Sequence, residues 1–275
     1  ETCYLVAAIK TLGDVRVGDT ITIDHDPAPE PLSGYEPPAQ MVFCDFYPST
    51  TEEKGNSFEE LRDAMEKLIL NDSSFTYQAV HSEALGFGFR CGFLGLLHMD
   101  IIQERLEREG GVQVVQTAPT VSYKIKMRGK GGEIFEKEIH NPADLPDAGL
   151  IVEFSEPICK VEIMTPGDYI GEIMKLCMER RGVFKNQGFV SHGRDMLTFE
   201  IPLAEIIFDF YDKLKGMTSG YGTMDYEIIE FRRETLVKVD VLINGEPVEA
   251  LSPIPHKEKA EQRGRALLAK LKKQI

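Results

Sequence analysis

The sequence has no tryptophan, few cysteines, no apolar run long enough to cross a bilayer, and a deficit of positive charge. Its five cysteines (Cys3, Cys44, Cys91, Cys159, Cys177) are odd in number and widely spaced, with no C-x-x-C pair. That pattern argues against a disulfide framework and a zinc site, and it fits a reducing cytoplasm. The start of the chain lacks both an initiator Met and a basic region, so it reads as an interior strand and not as a signal peptide. No G-x-x-x-x-G-K-[ST] segment occurs, and with it goes the loop that cradles nucleotide phosphates. The Gly-rich stretch from Arg128 to Gly132 leads into a strand pattern and reads as a hairpin tip. No local signature marks a Ser/His/Asp or Cys/His nucleophile; Cys91, Cys177 and His98 read as packing or capping residues. The expectation is a chain with no catalytic residue, no metal ligand and no cofactor.

Lysine and arginine number 31 against 45 aspartate and glutamate, a net charge of -14. Affinity for nucleic acid comes largely from cations displacing counterions, so wholesale attraction to phosphate is opposed and DNA is not an expected partner. Cations do gather locally. The tail carries Lys257, Lys259, Arg263, Arg265 and Lys270 in a basic island. Arg180, Arg181 and Lys185 mark the end of one predicted helix, and Lys213 and Lys215 the end of another. Cations at a helix C-terminus also complement its dipole, which is the structural alternative to RNA contact.

Along the chain, strand patterns at residues 2–9 and 20–23 precede a proline-rich stretch, 25–40, that reads as a linker. From 41 to 118 the order is strand, helix, strand, strand, helix, strand. Ser57 and Glu60 form a capping-box signature before an apolar stripe of Phe58, Leu61, Ala64, Met65, Leu68 and Ile69. The four glycines between Ala84 and Met99 suggest a twisted strand packed on its own helix. The same order returns over 157–234, with helices expected from Pro166 to Arg181 and from Pro202 to Lys215. Two ferredoxin-like split βαβ units in an α+β chain are therefore predicted. Residues 119–156 read as a β-rich connecting segment, and 235–275 as a hairpin at Asn244-Gly245 followed by a basic helix.

At this point the motifs resemble the translational GTPases related to EF-G, and among them the LepA, or elongation factor four, family. Gly95-Leu-Leu-His-Met99 resembles a signature of the third domain of those factors, with Leu96 in place of their Glu. Pro166-Gly-Asp-Tyr-Ile-Gly171, Arg180-Arg-Gly182, Pro202-Leu-Ala-Glu205 and Lys215 to Gly222 resemble their fifth domain in order. Val17-Gly-Asp-Thr20 resembles the end of the barrel domain II, over residues 1–24, and the tail resembles the start of a LepA-specific C-terminal domain. The resemblance implies a ribosome-dependent GTPase whose nucleotide domain, with GTP and Mg, lies outside this chain. It implies a monomer that meets the ribosome, rRNA and tRNA in elongation, back-translocation or rescue of stalled ribosomes. In that setting Arg180, Arg181, Lys185, Lys213 and Lys215 are the expected rRNA contacts, and the five tail cations face tRNA. Reversible association with the cytoplasmic face of the membrane is also implied. Paired ferredoxin-like units also form ligand sites, so a small-molecule sensor is the alternative reading.

Overall fold

The computed structural model describes residues 6, 18–32, 40–49, 57–82, 85–129, 131–191, 193–207, 209–248 and 251–273. The strand expected at 2–9 lies outside them except for Val6, and 20–23 contributes only an isolated bridge between Ile23 and Asp26. Part of the proline-rich stretch, 33–39, also lies outside; residues 27–32 form neither helix nor strand. The chain divides into two compact units, the first built on residues 45–116 and the second on 42–44 and 117–275.

The first unit runs β1 (Val42–Pro48), α1 (Phe58–Ile69), β2 (Thr76–Ser82), β3 (Gly86–Phe93), α2 (Leu96–Arg108) and β4 (Val114–Gln116). Its sheet order, β2-β3-β1-β4, is the ferredoxin-like arrangement the element order predicts. The Ser57 side chain accepts the Glu60 N–H and the Glu60 carboxylate accepts the Ser57 N–H, closing the capping box, a feature worth about 1 kcal/mol. Behind that cap, Leu61, Ala64, Met65 and Leu68 are buried, three and four residues apart, against a core that includes Phe46, Phe75 and Phe93.

The second unit repeats the plan with β8 (Ile151–Pro166), α3 (Ile170–Glu179), β9 (Val183–Ser191), β10 (Arg194–Pro202), α4 (Leu203–Ile206), α5 (Phe210–Met217) and β11 (Thr223–Arg233). Strands β11 and β10 flank β8, and β9 pairs beyond β10, the same order again. Three details differ from the sequence reading. Pro166 and Pro202, the predicted first helical residues, instead close strands and take the cap position, so that a 3-10 turn starts at Gly167 ahead of α3 and α4 starts at Leu203. The second helix is two pieces, α4 and α5, although its apolar positions Leu203, Ile206, Ile207, Phe210 and Leu214 are all buried as the spacing predicts. In α3 the buried set is Ile173, Leu176 and Cys177, whereas Met178 is exposed.

The segment 119–156 is no separate connector. Its short strand β5 (Thr120–Val121) pairs with Val42 and Phe43, and the hairpin of β6 (Tyr123–Arg128) and β7 (Ile134–Ile139) joins the second sheet through the first half of β8. One sixteen-residue strand therefore carries β6 along its start and β10 along its end. In the tail, β12 (Leu242–Ile243) and β13 (Glu246–Pro247) enclose Asn244-Gly245, both at positive φ, before α6 (Lys257–Leu271). Ahead of that hairpin, Leu236 forms a bridge with His256, and the Val237 and Val239 N–H groups donate to the Pro255 and Pro253 carbonyls. Among the described residues no helix is long and apolar enough to cross a membrane.

Candidate nucleic-acid interface

The basic cluster at the end of α3 is shaped by a tight helix stop. The Gly182 N–H donates to the Cys177 carbonyl at 2.8 Å, and Arg181 is held in the left-handed region at φ 60. A Cβ on Gly182 would lie 2.6 Å from that carbonyl oxygen, so the position accepts only glycine without a backbone shift. The left-handed conformation at Arg181 costs about 1–2 kcal/mol in a non-glycine residue. What holds it there is the guanidinium, which donates to both oxygens of Glu156 and lies 3.7 Å from Glu234 and 4.0 Å from Glu205. The Glu156 side chain is only 1% exposed. Burial pushes its carboxyl up, against the hydrogen bonds and charge of Arg181. Burial acts against the Arg181 charge too, but the surrounding carboxylates outweigh it and hold the guanidinium protonated.

Arg180 and Lys213, from the ends of α3 and the start of α5, meet on one carboxylate, with Lys213 Nζ 2.7 Å from Asp209 Oδ2 and Arg180 on Oδ1. Burial pushes the Asp209 carboxyl up, but the bonds and charges of Lys213 and Arg180 outweigh it and hold it at about 2. Lys185 lies 2.8 Å from Glu200, which also pairs with Arg232. Lys215 donates to the Gly220 carbonyl at 3.3 Å and lies over the Tyr211 ring.

The tail cations divide in two. Lys259 donates to the Glu179 carbonyl at the end of α3, and Arg263 pairs with Glu205, whose side chain is 3% exposed. Burial lowers the Lys259 ammonium, and the charges of Arg263, Arg181 and Arg180 add to that against the pull of Glu205. These residues bind α6 to the corner occupied by Arg181, so the two basic clusters expected at separate surfaces converge on one. Lys257 and Lys270 instead stand exposed on α6, and Arg265 pairs with Glu261 at the surface. The carboxylates that decide this division (Glu156, Glu200, Glu205, Asp209) gave no local signal, because each partner is remote in sequence or, like Asp209, falls inside a run that reads as helix.

One constellation brings Ser, His and Asp together. His98 Nδ1 accepts the Leu94 N–H at 3.1 Å, which places the ring proton on Nε2, 3.1 Å from Asp72. The Ser74 hydroxyl donates to the other Asp72 oxygen. With both nitrogens occupied, the imidazole has no lone pair to take a proton from Ser74; the trio ties the turn of Asp72 and Ser74 to the first turn of α2. Burial pushes the Cys159 and Cys177 thiols up to about 12, leaving them packed and inert.

Residues 153–242, which include α3, α5 and the cations at their ends, match the family described as Elongation factor G C-terminus. Over 273 residues the chain is 50% identical to an Elongation factor 4 of Rhodopirellula baltica, covering 99% of this chain and 44% of that protein. Elongation factor 4 of Acetivibrio thermocellus is 52% identical over 275 residues, again covering 44% of its length, and that of Oleidesulfovibrio alaskensis is 50% identical over 272. The chain thus spans less than half the length of the curated relatives it matches.

Proposed function

We propose that this chain, homologous over nearly its whole length to one part of the Elongation factor 4 (LepA) proteins, is the ribosome-facing portion of a LepA-type translation factor. The observation that carries this reading is identity near one half along the entire chain, joined to two ferredoxin-like units of which the second matches the Elongation factor G C-terminus. GTP hydrolysis, with GTP and Mg, belongs in this reading to a domain outside these residues, and the chain contributes contact to elongation, back-translocation or rescue of stalled ribosomes.

In this reading the cations with solvent-facing donors make that contact. Lys213 and Lys215 on α5, and Lys185 on β9, reach solvent and offer donors to rRNA phosphates. Lys257, Arg265 and Lys270 line the outer surface of α6 toward tRNA. Arg180, Arg181, Lys259 and Arg263 are held by the protein's own acceptors and position the others. The factor acts as a monomer in the cytoplasm, with any membrane association peripheral.

Filter binding to ribosomes across a salt series tests this. Binding should weaken steeply with salt, and changing Lys185, Lys213 and Lys215 together to Ala should flatten the log–log slope by roughly two, given about 0.7–0.9 per phosphate contact. No ribosome binding by the unaltered chain at low salt would overturn the reading.

A further inference from the structure

Two tyrosines that bracket α5, Tyr211 in its first turn and Tyr221 just past its end, have no place in the core. Tyr211 and Tyr221 are 46% and 57% exposed, while the unit's aromatic core, such as Phe199 and Phe210, is fully buried. The backbone presenting Tyr221 is nevertheless tightly tied. Buried Thr218 donates its hydroxyl proton to the Leu214 carbonyl at 2.7 Å and accepts the Gly222 N–H at 2.8 Å. Tyr221 N–H donates to the Thr218 carbonyl at 2.9 Å, and Gly220 N–H to the Lys215 carbonyl at 2.8 Å. Ser219 and Gly220 take φ 51 and 84 to make that reversal, and a Cβ on Gly222 would meet Thr218 Oγ1 at 2.8 Å. Such a knot fixes a ring-bearing residue in space, so little order has to be gained on binding.

Charge is placed beside the rings. The Lys215 ammonium lies 5.4 Å from the centre of the Tyr211 ring and 3.3 Å from the carbonyl of Gly220, the residue before Tyr221. One cation thus links the two aromatic positions, while Lys213, two residues after Tyr211 and so on another face of α5, turns to Asp209. The nearby Asp209 is already shared between Lys213 and Arg180. Half-exposed aromatic residues with a lysine between them favour a flat ring attached to phosphate over an apolar peptide.

We propose that Tyr211 and Tyr221, with Lys215 between them, form a stacking platform for an unpaired nucleotide of RNA. Naming ribosomal RNA as its source rests on the functional reading above. The bases of a continuous duplex are stacked on one another and offer no free face, so the platform selects a bulge, loop or single strand.

The test uses a short single-stranded RNA carrying 2-aminopurine and the same strand in a duplex, titrated with the whole 275-residue chain. Absence of tryptophan leaves the reporter's emission uncontaminated. The single strand should bind with quenching and the duplex without it. Tyr211→Ala and Tyr221→Ala should each weaken the single strand by about tenfold, while Tyr211→Phe and Tyr221→Phe, which keep the ring face, bind as the original does. Equal affinity of the Ala variants, equal quenching by the duplex, loss in the Phe variants, or preference for an acidic peptide over RNA would each overturn the platform. Ribosome binding by the unaltered chain is scored separately, so failure of the functional reading is told apart from failure of the platform.

Discussion

Replacing Arg181 with alanine should destabilise the second unit far more than a surface arginine would. The guanidinium faces a carboxylate at 1% exposure and has 16% exposure of its own. Removing one partner of a buried pair leaves the other charge uncompensated, at a cost of about 3–5 kcal/mol. Alanine inherits the left-handed backbone and relieves nothing, whereas Arg181→Gly recovers about 1 kcal/mol of conformational strain. The order of stability should therefore be original chain, then Arg181→Gly, then Arg181→Ala. Adding Glu156→Gln to the alanine variant should restore part of the loss, because the orphaned charge is gone. The deficit also depends on pH. Without the guanidinium, burial raises the Glu156 carboxyl further above its unfolded value near 4.3. A raised acid contributes stability below its unfolded value and loses it as pH rises through the folded one, so the deficit is largest at neutral pH and shrinks toward pH 4. Urea unfolding at several pH values, followed by tyrosine emission, measures all of this. A loss under about 1 kcal/mol at pH 7 that is flat with pH, alongside weakened ribosome binding, would show Arg181 to be a free RNA contact and refute the argument.

Two further outcomes follow from neighbouring geometry. Gly182→Ala sets a methyl 2.6 Å from a backbone carbonyl that cannot move aside, so urea unfolding should report a loss of about 1–3 kcal/mol; an unchanged midpoint would mean the α3 stop is looser than described. Asp209, held at about 2, contributes stability that is present above its ordinary value of 3.8 and lost as pH falls from there through about 2. Its side chain is 51% exposed, so the contribution stays under about 1 kcal/mol, and in acid titrations Asp209→Asn should lack that final increment of loss.

The sequence made the repeated βαββαβ order visible because each helix and strand carries its own period of buried residues. Ser57 and Glu60 announced their cap because both partners lie within one turn. Local pattern failed where a partner came from afar. Arg181 looked like a surface cation, since Glu156 lies 25 residues upstream and Glu234 is more distant still. The break at Asp209 was hidden because Ile206, Ile207 and Phe210 keep helical spacing across it. Pro157 made β8 look shorter than it is. It falls between Ser155, the last residue of the β6 pairing, and Ile158, where β10 begins, so on that side no ladder bond is lost to its missing N–H.

That continuous β8 has a mechanical consequence. At about 3.3 Å per residue it is a beam of roughly 50 Å, with the β6–β7 hairpin riveted to one end and the βαββαβ module to the other. A load on the hairpin is passed to β8 through ladder bonds that are regular except for one irregularity between Lys126 and Met127. A pull applied at Gly129 is therefore carried along the same continuous backbone that pairs with β10 and β11, and the hairpin is coupled to the module by strand pairing and not by a loop.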